Sequence, residues 1–322
     1  MATTIKDVAK YAGVGIGTVS RVINNEGAVG ETTRKKVLEA MKALNYSPNN
    51  MASQLRRKET RIIALLVPIV SHPFFAKLAY YIEDEADRFG YSTILVSSQQ
   101  RVDKETEIIK RIKHKKVDGA VFVTHYIHDE EDLKGCPIIS IDRVLGQNIP
   151  YVTSDNYEAT KKAIKYMIER GAQRVGFIGS KPLVDSEVME RERAYLDVMA
   201  EYNMQPRIVN EVMQHGEETI VVADFMEKYS DVDGVFVSGY TLSQVFYEAA
   251  VEMGKKIPDD IQIISYDGIF KQWSISSMTS VEQPIEEMAR QVVRLLIKKI
   301  HNEETPTRTV LKTKFVLGTT TK

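Results

Sequence analysis

The stretch AGVGIGTVSRV, residues 12–22, places glycines at positions 13, 15 and 17. Glycines at short intervals can form a phosphate-binding loop, but that loop follows a β-strand, opens a helix and needs the spacing G-x-G-x-x-G or G-x-x-x-x-G-K-[ST]. Here the preceding segment IKDVAKYA has the periodicity of a helix, and the three glycines alternate with other residues. The stretch therefore does not predict a nucleotide-binding loop.

The same stretch fits a helix–turn–helix motif, in which a three- or four-residue turn containing glycine joins two short helices. Thr4 is a favourable N-cap for the first helix, and Gly13 can end that helix in a left-handed conformation. Residues 13–15 then form the turn, and residues 16 to about 24 form the second helix. We expect the early residues of this second helix to enter the major groove of DNA.

The second helix of this motif presents side chains that suit DNA. Arg21 can donate two hydrogen bonds to guanine, and hydroxyl groups suit phosphates or base edges. A third helix over about 31–45 is predicted to carry Val37, Leu38, Met41 and Leu44 on one face, toward the core. The DNA contacts that we predict from this part of the chain are Thr4, Ile16, Gly17, Thr18, Ser20, Arg21 and Asn24.

Charge is distributed unevenly along the chain. Residues 1–61 contain 11 Lys and Arg against 5 Asp and Glu, whereas the remaining residues contain 32 against 39. A basic head on an acidic body indicates that the head is the part that meets a polyanion. The longest apolar runs are too short to span a bilayer, and the charged N-terminus does not resemble a signal peptide. The single cysteine, Cys136, cannot form an internal disulfide, so we expect a cytoplasmic protein.

From Arg61 onward, short apolar runs alternate with amphipathic helical stretches. The predicted strands are IIALLVP, STILVSS, GAVFVT, PIISID, RVGFIG, GVFVSG and QIISYD. Strand–helix alternation predicts parallel sheets covered by helices, and the pattern restarts near Tyr157. The segments KVDGAVFVT (116–124) and DVDGVFVSG (231–239) occupy comparable places in the two halves. The body is therefore predicted to consist of two doubly wound parallel-sheet lobes.

Enzymatic alternatives find little support in the sequence. Catalysis needs a convergent nucleophile, base and oxyanion-stabilising group, and no G-x-S-x-G is present. His125 and His128 are three residues apart but lack the H-E-x-x-H arrangement, so we expect neither a metal site nor a cofactor. A solute-binding protein would fit the two lobes, but it would need an export signal and would not need the basic head. We retain that class, and a sugar-modifying enzyme, as disfavoured alternatives.

The segments TIKDVAKYAGVGIGTVSRVIN and TTRKKVLEAMKALNYSPNNMASQL resemble the head of the lactose/galactose repressor (LacI/GalR) family. The family pattern reads D-V-A-x-x-A-G-V-S-x-x-T-V-S-R-x-[LIV]-N and later T-R-x-x-V-x-x-A-x-x-x-L-x-Y-x-P-N-x-x-A-x-x-L. The resemblance implies an all-α helix–turn–helix headpiece (1–48), a hinge (49–60) and an α/β periplasmic-binding-protein-like body (61–322). The first lobe would hold residues 61–157 and 285–312, and the second residues 158–282 and 313–322.

The resemblance also implies how the hinge acts. In the family, the segment after Y-x-P-N becomes a helix on operator DNA, lies in the minor groove and wedges paired leucines into the central base step. The matching wedge is Leu55, and Ser53 stands where many relatives have arginine. Relatives usually have serine at Gly15, and Gly17 offers no side chain to a base, so Ile16 should take more of the readout. The implied hinge contacts are Asn49, Ser53, Leu55, Arg56 and Arg57.

A cleft at the carboxyl ends of the strands is the implied effector site. The segment SHPFF matches the family's N-P-[FY]-[FY], with His72 in place of asparagine, and Tyr240 stands where relatives have a polar residue. Acidic and arginine side chains that face one cleft suit a polyhydroxyl ligand. The implied contacts are His72, Phe74, Phe75, Tyr126, Asp155, Arg193, Tyr240, Asp267, Trp273 and Gln283.

The sequence thus predicts a DNA-binding transcriptional repressor controlled by a small molecule. A sugar or sugar phosphate is the first choice of effector, with a purine, another metabolite or a protein corepressor as alternatives. The effector could release or strengthen operator binding. We expect a homodimer on a pseudo-palindromic operator, because no heptad repeat follows VLKTKFVLGTTTK to build a tetramer. Closure of the lobes would change the spacing of the two heads.

Overall fold

The protein is described from a computed structural model. The structure describes residues 3–23, 27, 29–46, 59–99, 101–123, 126, 128–213, 216–268 and 278–322. The chain divides into two compact units, Met1–Thr60 and Arg61–Lys322, and each is described by itself. Of the predicted hinge, only residues 59 and 60 lie within the described ranges.

The first unit contains three helices, α1 (Ile5–Ala12), α2 (Ile16–Ile23) and α3 (Glu31–Ala43). Thr4 begins α1, and its backbone N–H and hydroxyl both donate to the Asp7 carboxylate, at 2.8 and 2.7 Å. These hydrogen bonds from Thr4 lower the pKa of Asp7. Gly13 ends α1 with φ 66°, a left-handed conformation that favours glycine. The predicted turn of the helix–turn–helix motif therefore forms as its sequence indicates.

A small core holds the three helices together. Its fully buried side chains are Val8, Ala9, Val19, Val22, Val37 and Ala40. The prediction that Leu38 faces this core is wrong, because 52% of Leu38 is exposed. Val37 already fills the inner position of α3, and the next residue of a helix points about 100° away. Ala40, one turn after Val37, takes the neighbouring inner position instead.

The second unit contains two six-stranded sheets. The first has the order β11-β5-β4-β3-β1-β2 and the second the order β12-β10-β9-β8-β6-β7. The strands are β1 (Ile62–Val67), β2 (Ser92–Ser97), β3 (Gly119–Phe122), β4 (Ile138–Ile141), β5 (Tyr151–Ser154), β6 (Val175–Ser180), β7 (Arg207–Glu211), β8 (Gly234–Ser238), β9 (Gln262–Tyr266), β10 (Thr279–Glu282), β11 (Arg308–Leu311) and β12 (Lys314–Val316). All described pairings are parallel except that of β10 with β12, and the predicted two-lobed parallel architecture is confirmed.

Helices cover the faces of both sheets. They are α4 (Pro73–Arg88), α5 (Val102–Lys113), α6 (Glu130–Leu133), α7 (Asn156–Glu169), α8 (Met189–Glu201), α9 (Glu218–Lys228), α10 (Tyr240–Glu252) and α11 (Ile285–Ile300). Continuous buried strands such as β1 explain the apolar runs in the sequence, because a parallel sheet is covered on both faces. Helix α11 packs on α4 and the first sheet, and α7 packs on α8 and the second sheet.

The chain crosses between the two lobes three times, at residues 154–156, 282–285 and 311–314. Asp155 holds two of these crossings together. Its backbone N–H donates to the Leu311 carbonyl at 3.0 Å, and its carboxylate accepts from the Thr313 N–H at 2.8 Å. Lys312 lies 3.2 Å from the same carboxylate. These contacts fix the axis about which the two lobes are joined.

Within the described ranges, no helix is both long and apolar enough to cross a bilayer.

Candidate functional site

Helix α2 carries the candidate DNA-reading surface. Val19 and Val22 are buried in the core of the first unit, which leaves the opposite face of the helix to solvent. Ile16, Gly17 and Arg21 are exposed on that face. An added Cβ at Gly17 would meet no atom within 4 Å, so the helix has open space there.

The other predicted DNA contacts divide into two groups. Thr4 is exposed, and Thr18 and Ser20 are half-buried at the edge of the same surface. The structure adds Tyr11, 63% exposed at the end of α1, which the sequence analysis did not single out. The predicted contacts that lie outside the described residues are Asn24, Asn49, Ser53, Leu55, Arg56 and Arg57.

A cavity of about 280 Å³ lies between the two lobes of the body. Residues from both lobes line it, mostly at the carboxyl ends of strands, where parallel sheets place their ligand sites. The lining residues are His72, Phe74, Phe75, Val123, Tyr126, Asp142, Arg143, Ser180, Lys181, Pro182, Leu183, Val188, Arg191, Val212, Met213, Asp267 and Gln283. Six of these were predicted, namely His72, Phe74, Phe75, Tyr126, Asp267 and Gln283.

The first wall of the cavity is the start of α4. His72 is the N-cap, and its Nδ1 atom accepts the Phe74 backbone N–H at 3.3 Å. Because Nδ1 is then an acceptor, the neutral ring carries its proton on Nε2. The His72 and Phe75 rings have centroids 5.1 Å apart, and Phe74 meets Phe75 edge-on at 5.4 Å. This corner offers aromatic surface beside one imidazole.

Two aspartates face the cavity from opposite lobes. Asp142 follows β4 with φ 58°, and Asp267 follows β9 with φ 72°. Both are buried, and both adopt a left-handed conformation that aspartate tolerates better than most residues. Burial raises the pKa of Asp142; Arg191 opposes this shift and Asp267 adds to it. The Thr153 hydroxyl donates to Asp142 at 2.6 Å, and the Gln283 amide donates to Asp267.

Two buried arginines balance these carboxylates. The Arg191 guanidinium lies 3.5 Å from the centre of the Tyr266 ring, and its Nε donates to Asn156 Oδ1 at 2.7 Å. Arg143 donates to the Ser186 hydroxyl at 2.6 Å, and burial lowers the pKa of Arg143. Rigidly held arginines of this kind present fixed donors to a ligand.

Three charged lining residues were not predicted from the sequence: Asp142, Arg143 and Arg191. The prediction of Arg193 is wrong, because the Arg193 side chain is 60% exposed and pairs with Glu190 at 2.7 Å on the outer face of α8. Two residues along a helix turn the side chain by about 200°, so Arg191 and Arg193 face opposite ways. The segment ERERAY contains both arginines two residues apart, so the sequence alone does not show whether Arg191 or Arg193 faces the cavity.

Of the three other predicted effector contacts, Asp155 and Tyr240 do not line the cavity. Asp155 binds the lobe crossings, as described above, and its carboxylate is engaged there. Tyr240 opens α10 and is half-buried outside the lining, and burial raises the pKa of its hydroxyl. Trp273 lies outside the described residues.

The rim of the cavity contains a direct bridge between the lobes. Residues 185–187 of the second lobe bond with residues 142–144 of the first: Val144 N–H donates to the Asp185 carbonyl at 2.9 Å, and Glu187 N–H donates to the Asp142 carbonyl at 3.0 Å. The Glu187 carboxylate also accepts from the Tyr151 hydroxyl at 2.8 Å and from Arg308 at 2.8 and 3.0 Å. Burial alone would raise the pKa of Glu187, but Arg308 and Tyr151 lower it overall.

A second link joins the lobes at the back of the cavity. The Ser154 hydroxyl donates to Gln283 at 3.0 Å, and the Tyr266 hydroxyl lies 2.9 Å from the same Ser154 oxygen. Because Ser154 has one proton to give, Tyr266 is the donor in the second contact. Burial raises the pKa of Tyr266 far above its ordinary value, which keeps it a donor. Ser154 of β5 thus links Tyr266 of β9 to Gln283, which directly follows β10.

The chain resembles known proteins over almost its whole length. Residues 4–49 match the family model for bacterial regulatory proteins of the lacI family, and residues 164–321 match that for the periplasmic binding protein-like domain. The chain is 36% identical to the ribose operon repressor of Halalkalibacterium halodurans, over 99% of this chain and 97% of that one. It is 34% identical to the sucrose operon repressor of Streptococcus mutans, over 99% of each.

The fold also has a close counterpart among solved structures. The lac repressor dimer bound to operator and the anti-inducer ONPF matches with a TM-score of 0.85 over 99% of both chains, at 21% identity. At this identity the likeness concerns the fold. The predicted combination of a helix–turn–helix head with a periplasmic-binding-protein-like body is confirmed.

Proposed function

The chain belongs to the lacI family of bacterial regulatory proteins, and from this premise we propose that it represses transcription and responds to a sugar. The first unit binds operator DNA through α2, with Arg21 and Ile16 on the exposed face as the main base-reading residues. The second unit binds the sugar in the cavity between its lobes. Both relatives described above are named as repressors of sugar operons, which supports this assignment.

One observation carries the sugar assignment: Asp142, Arg143, Arg191 and Asp267 converge on the cavity beside Phe74 and Phe75. Carboxylates accept and guanidinium groups donate hydrogen bonds, so together they suit hydroxyl groups that do both. Aromatic rings suit the apolar C–H faces of a sugar. The buried part of the lining carries two carboxylates and two arginines, a balance that suits a neutral polyol, and the further cation of the lining, Lys181, is exposed.

The size of the cavity narrows the class of sugar. A volume of about 280 Å³ lies just below the range of about 300–1,000 Å³ that is typical of ligand pockets. A monosaccharide fits this space better than a disaccharide. Of the two sugars that appear in the names of the relatives, ribose is the smaller and sucrose the larger. We therefore take D-ribose as the first candidate effector and sucrose as the second.

Coupling between the two units follows from where the sugar contacts lie. Asp142 and Arg143 belong to the first lobe, whereas Arg191 and Asp267 belong to the second, so a ligand that bonds to all four favours one arrangement of the lobes. A ligand shifts such an equilibrium only by its difference in affinity for the two arrangements. In a homodimer on a pseudo-palindromic operator, that shift would change how the two heads are presented.

The cavity is proposed to bind its ligand without transforming it. Among the described lining residues, no serine, cysteine or lysine is hydrogen-bonded to a histidine or carboxylate as an activated nucleophile would be. Nor does the described part of the chain bring together three His, Cys, Asp or Glu side chains that could hold a metal ion. Repression then ends when the sugar is bound, which is the outcome that suits a sugar operon.

Calorimetric titration of the full chain with D-ribose, sucrose and ribose 5-phosphate tests this function. We expect D-ribose to bind and Asp267→Asn to weaken binding at least about tenfold, because the carboxylate loses acceptor strength toward the sugar. Asp197→Asn, a matched change on the outer surface of α8, should leave the affinity unchanged. Binding of none of the three ligands, or equal binding by both variants, would contradict the assignment.

A further inference from the structure

The end of helix α5 carries a concentration of positive charge that neither the sugar site nor α2 explains. Residues 110–116 read KRIKHKK, and all six Lys, Arg and His side chains are exposed. We call Lys110, Arg111, Lys113, His114, Lys115 and Lys116 the basic cluster. It stands out because residues 62–322 as a whole contain 39 acidic side chains against 32 Lys and Arg.

Nearby carboxylates neutralise only part of the basic cluster. Arg111 pairs with Glu107 at 3.1 Å, and Lys113 pairs with Asp132 at 3.4 Å. The ammonium groups of Lys110, Lys115 and Lys116 make no ion pair or hydrogen bond with any residue in the described part of the chain. An i,i+4 partner such as Glu107 can neutralise a cation within the helix, whereas Lys110 has none and Lys115 and Lys116 lie beyond the helix end.

The conformation of Lys115 sets the basic cluster apart from the other helix ends. Lys115 has φ 55°, and the Lys116 N–H behind it donates to the Arg111 carbonyl at 2.8 Å. This left-handed position favours glycine or asparagine. Glycine or asparagine does occupy it after the other described helices that end this way, at Gly13, Asn45, Gly90, Gly135, Gly171, Asn203, Gly254 and Asn302. A lysine here adds charge at a conformational cost that a merely solvated surface would not require.

The basic cluster lies where the chain enters the body. Strand β3 follows it directly, and the Arg61 N–H donates to the carboxylate of Asp118 at 2.8 Å, while the Asp118 N–H donates to the Ile62 carbonyl at 2.8 Å. This is the amino end of the parallel strands, opposite the end that forms the sugar cavity. Residues 47–60 separate Arg61 from Tyr46 of the first unit, and a fully extended chain of that length spans roughly 50 Å.

We propose that the basic cluster binds phosphates of the DNA that flanks the operator, as a contact that is independent of base sequence. The proposal rests on the proposed function, because the tether brings DNA held by the first unit within reach of the body. Lysine is suited to this role, since it binds phosphate as a point charge and needs no fixed geometry. An acidic protein would suit the same charge, but nothing tethers one to this surface.

The salt dependence of DNA binding tests the basic cluster directly. The wild-type chain first selects its operator from random duplexes, and two duplexes are then made: a short one that covers the selected site and a long one with a further helical turn on each side. The variant Lys110→Gln/Lys115→Gln/Lys116→Gln is compared with Lys162→Gln/Lys228→Gln/Lys256→Gln. Both replace three exposed lysines of the body, so their net charges match.

We expect the cluster variant to reduce the slope of log K against log salt on the long duplex by about 0.9 for each phosphate that the protein no longer neutralises. On the short duplex, the slope for the cluster variant should equal the slope for the control variant. Equal slopes for both variants on the long duplex would overturn the role of the basic cluster while leaving operator binding intact. A wild-type chain that selects no duplex would refute both that role and the proposed function. Equal thermal midpoints exclude misfolding as the cause.

Discussion

The proposed DNA-reading helix and the proposed sugar cavity are encoded in the sequence in opposite ways. Helix α2 occupies residues 16–23, and its inner valines and outer Arg21 alternate within two turns. The cavity collects side chains from segments that span residues 72 to 283 and meet only after two sheets have formed. A local sequence motif therefore predicts the first site. The second site depends on which face of each helix and which end of each strand points into the cavity.

Arg191 and Arg193 give the sharpest way to test this difference. Arg191 is buried in the cavity lining, so replacing it with leucine removes a charged hydrogen-bond donor to the sugar, and a hydrogen bond to a charged group is worth about 1.5–3 kcal/mol. We expect D-ribose affinity to fall at least about tenfold. Arg193→Leu removes an exposed ion pair worth less than about 1 kcal/mol, so its affinity should stay within about fivefold of wild type. Calorimetry measures the D-ribose affinity of both variants. A larger loss of affinity for Arg193→Leu than for Arg191→Leu would contradict the placement of Arg191 at the sugar.

On the DNA side, Arg21→Ala tests whether one exposed residue carries base recognition. A bidentate arginine–guanine contact is worth about 1–3 kcal/mol, so operator affinity should fall about tenfold to a hundredfold. Nonspecific binding should change much less. Lys42→Ala, an exposed cation on α3, serves as the control. Fluorescence anisotropy with specific and scrambled duplexes measures the operator affinity and the nonspecific affinity. An equal loss of affinity on both duplexes would make Arg21 a phosphate contact only.

The bridge at Glu187 tests whether the two lobes act as one site. Glu187→Gln weakens charge-assisted hydrogen bonds to Arg308 and Tyr151, and we expect a loss of about 1–2 kcal/mol in the free energy of unfolding. Thermal unfolding of this variant and of the exposed control Glu107→Gln measures the difference.

The same contact predicts a pH dependence. The pKa of Glu187 is lower in the folded protein than its ordinary value of 4.5, so its contribution is complete above that pH and disappears as pH falls through the folded pKa. The free energy of unfolding of the wild-type chain should therefore approach that of Glu187→Gln as the pH falls. A difference in the free energy of unfolding that is as large in acid as at neutral pH would contradict this role.

The smallest expected effect concerns Gly17, the position in α2 that offers no side chain. Gly17→Ala meets open space, because no atom lies within 4 Å of the added Cβ. Alanine in a helix is favoured over glycine by about 0.5–1 kcal/mol, so the first unit should become slightly more stable. Circular dichroism during thermal unfolding measures this change. A destabilised first unit would show that α2 needs glycine for a reason that its described surroundings do not provide.

Much of the fold follows from sequence periodicity, and the exceptions have physical reasons. The strong apolar runs became β1, β2, β3, β4, β6, β8 and β9. The strands that were not predicted include β7, β11 and β12, which are partly exposed and carry charges, so no apolar run marks them. Leu38 was misplaced because Val37 and Ala40 form the inner face of α3, and Leu38 points away from that face.

The sugar site could be predicted only in part for a related reason. Phe74, Asp267 and Gln283 lie beside recognisable strand ends, and the sequence found them. Asp142 and Arg143 also follow a strand, in PIISIDR, but nothing local distinguished this strand end from the others. Asp155 carries the right chemistry, yet its carboxylate is committed to the Thr313 N–H and Lys312 at the crossings. The sequence alone does not show that these contacts at the crossings occupy the Asp155 carboxylate.

The central claim is that sugar bound between the lobes controls DNA binding by the first unit. Fluorescence anisotropy of the full chain on its selected operator, with and without saturating D-ribose, tests it most directly. We predict that D-ribose weakens operator binding at least about fivefold, the lower end of typical allosteric coupling, and that Arg191→Leu abolishes this response at the same sugar concentration. Unchanged operator affinity while calorimetry shows the cavity filled would contradict the account.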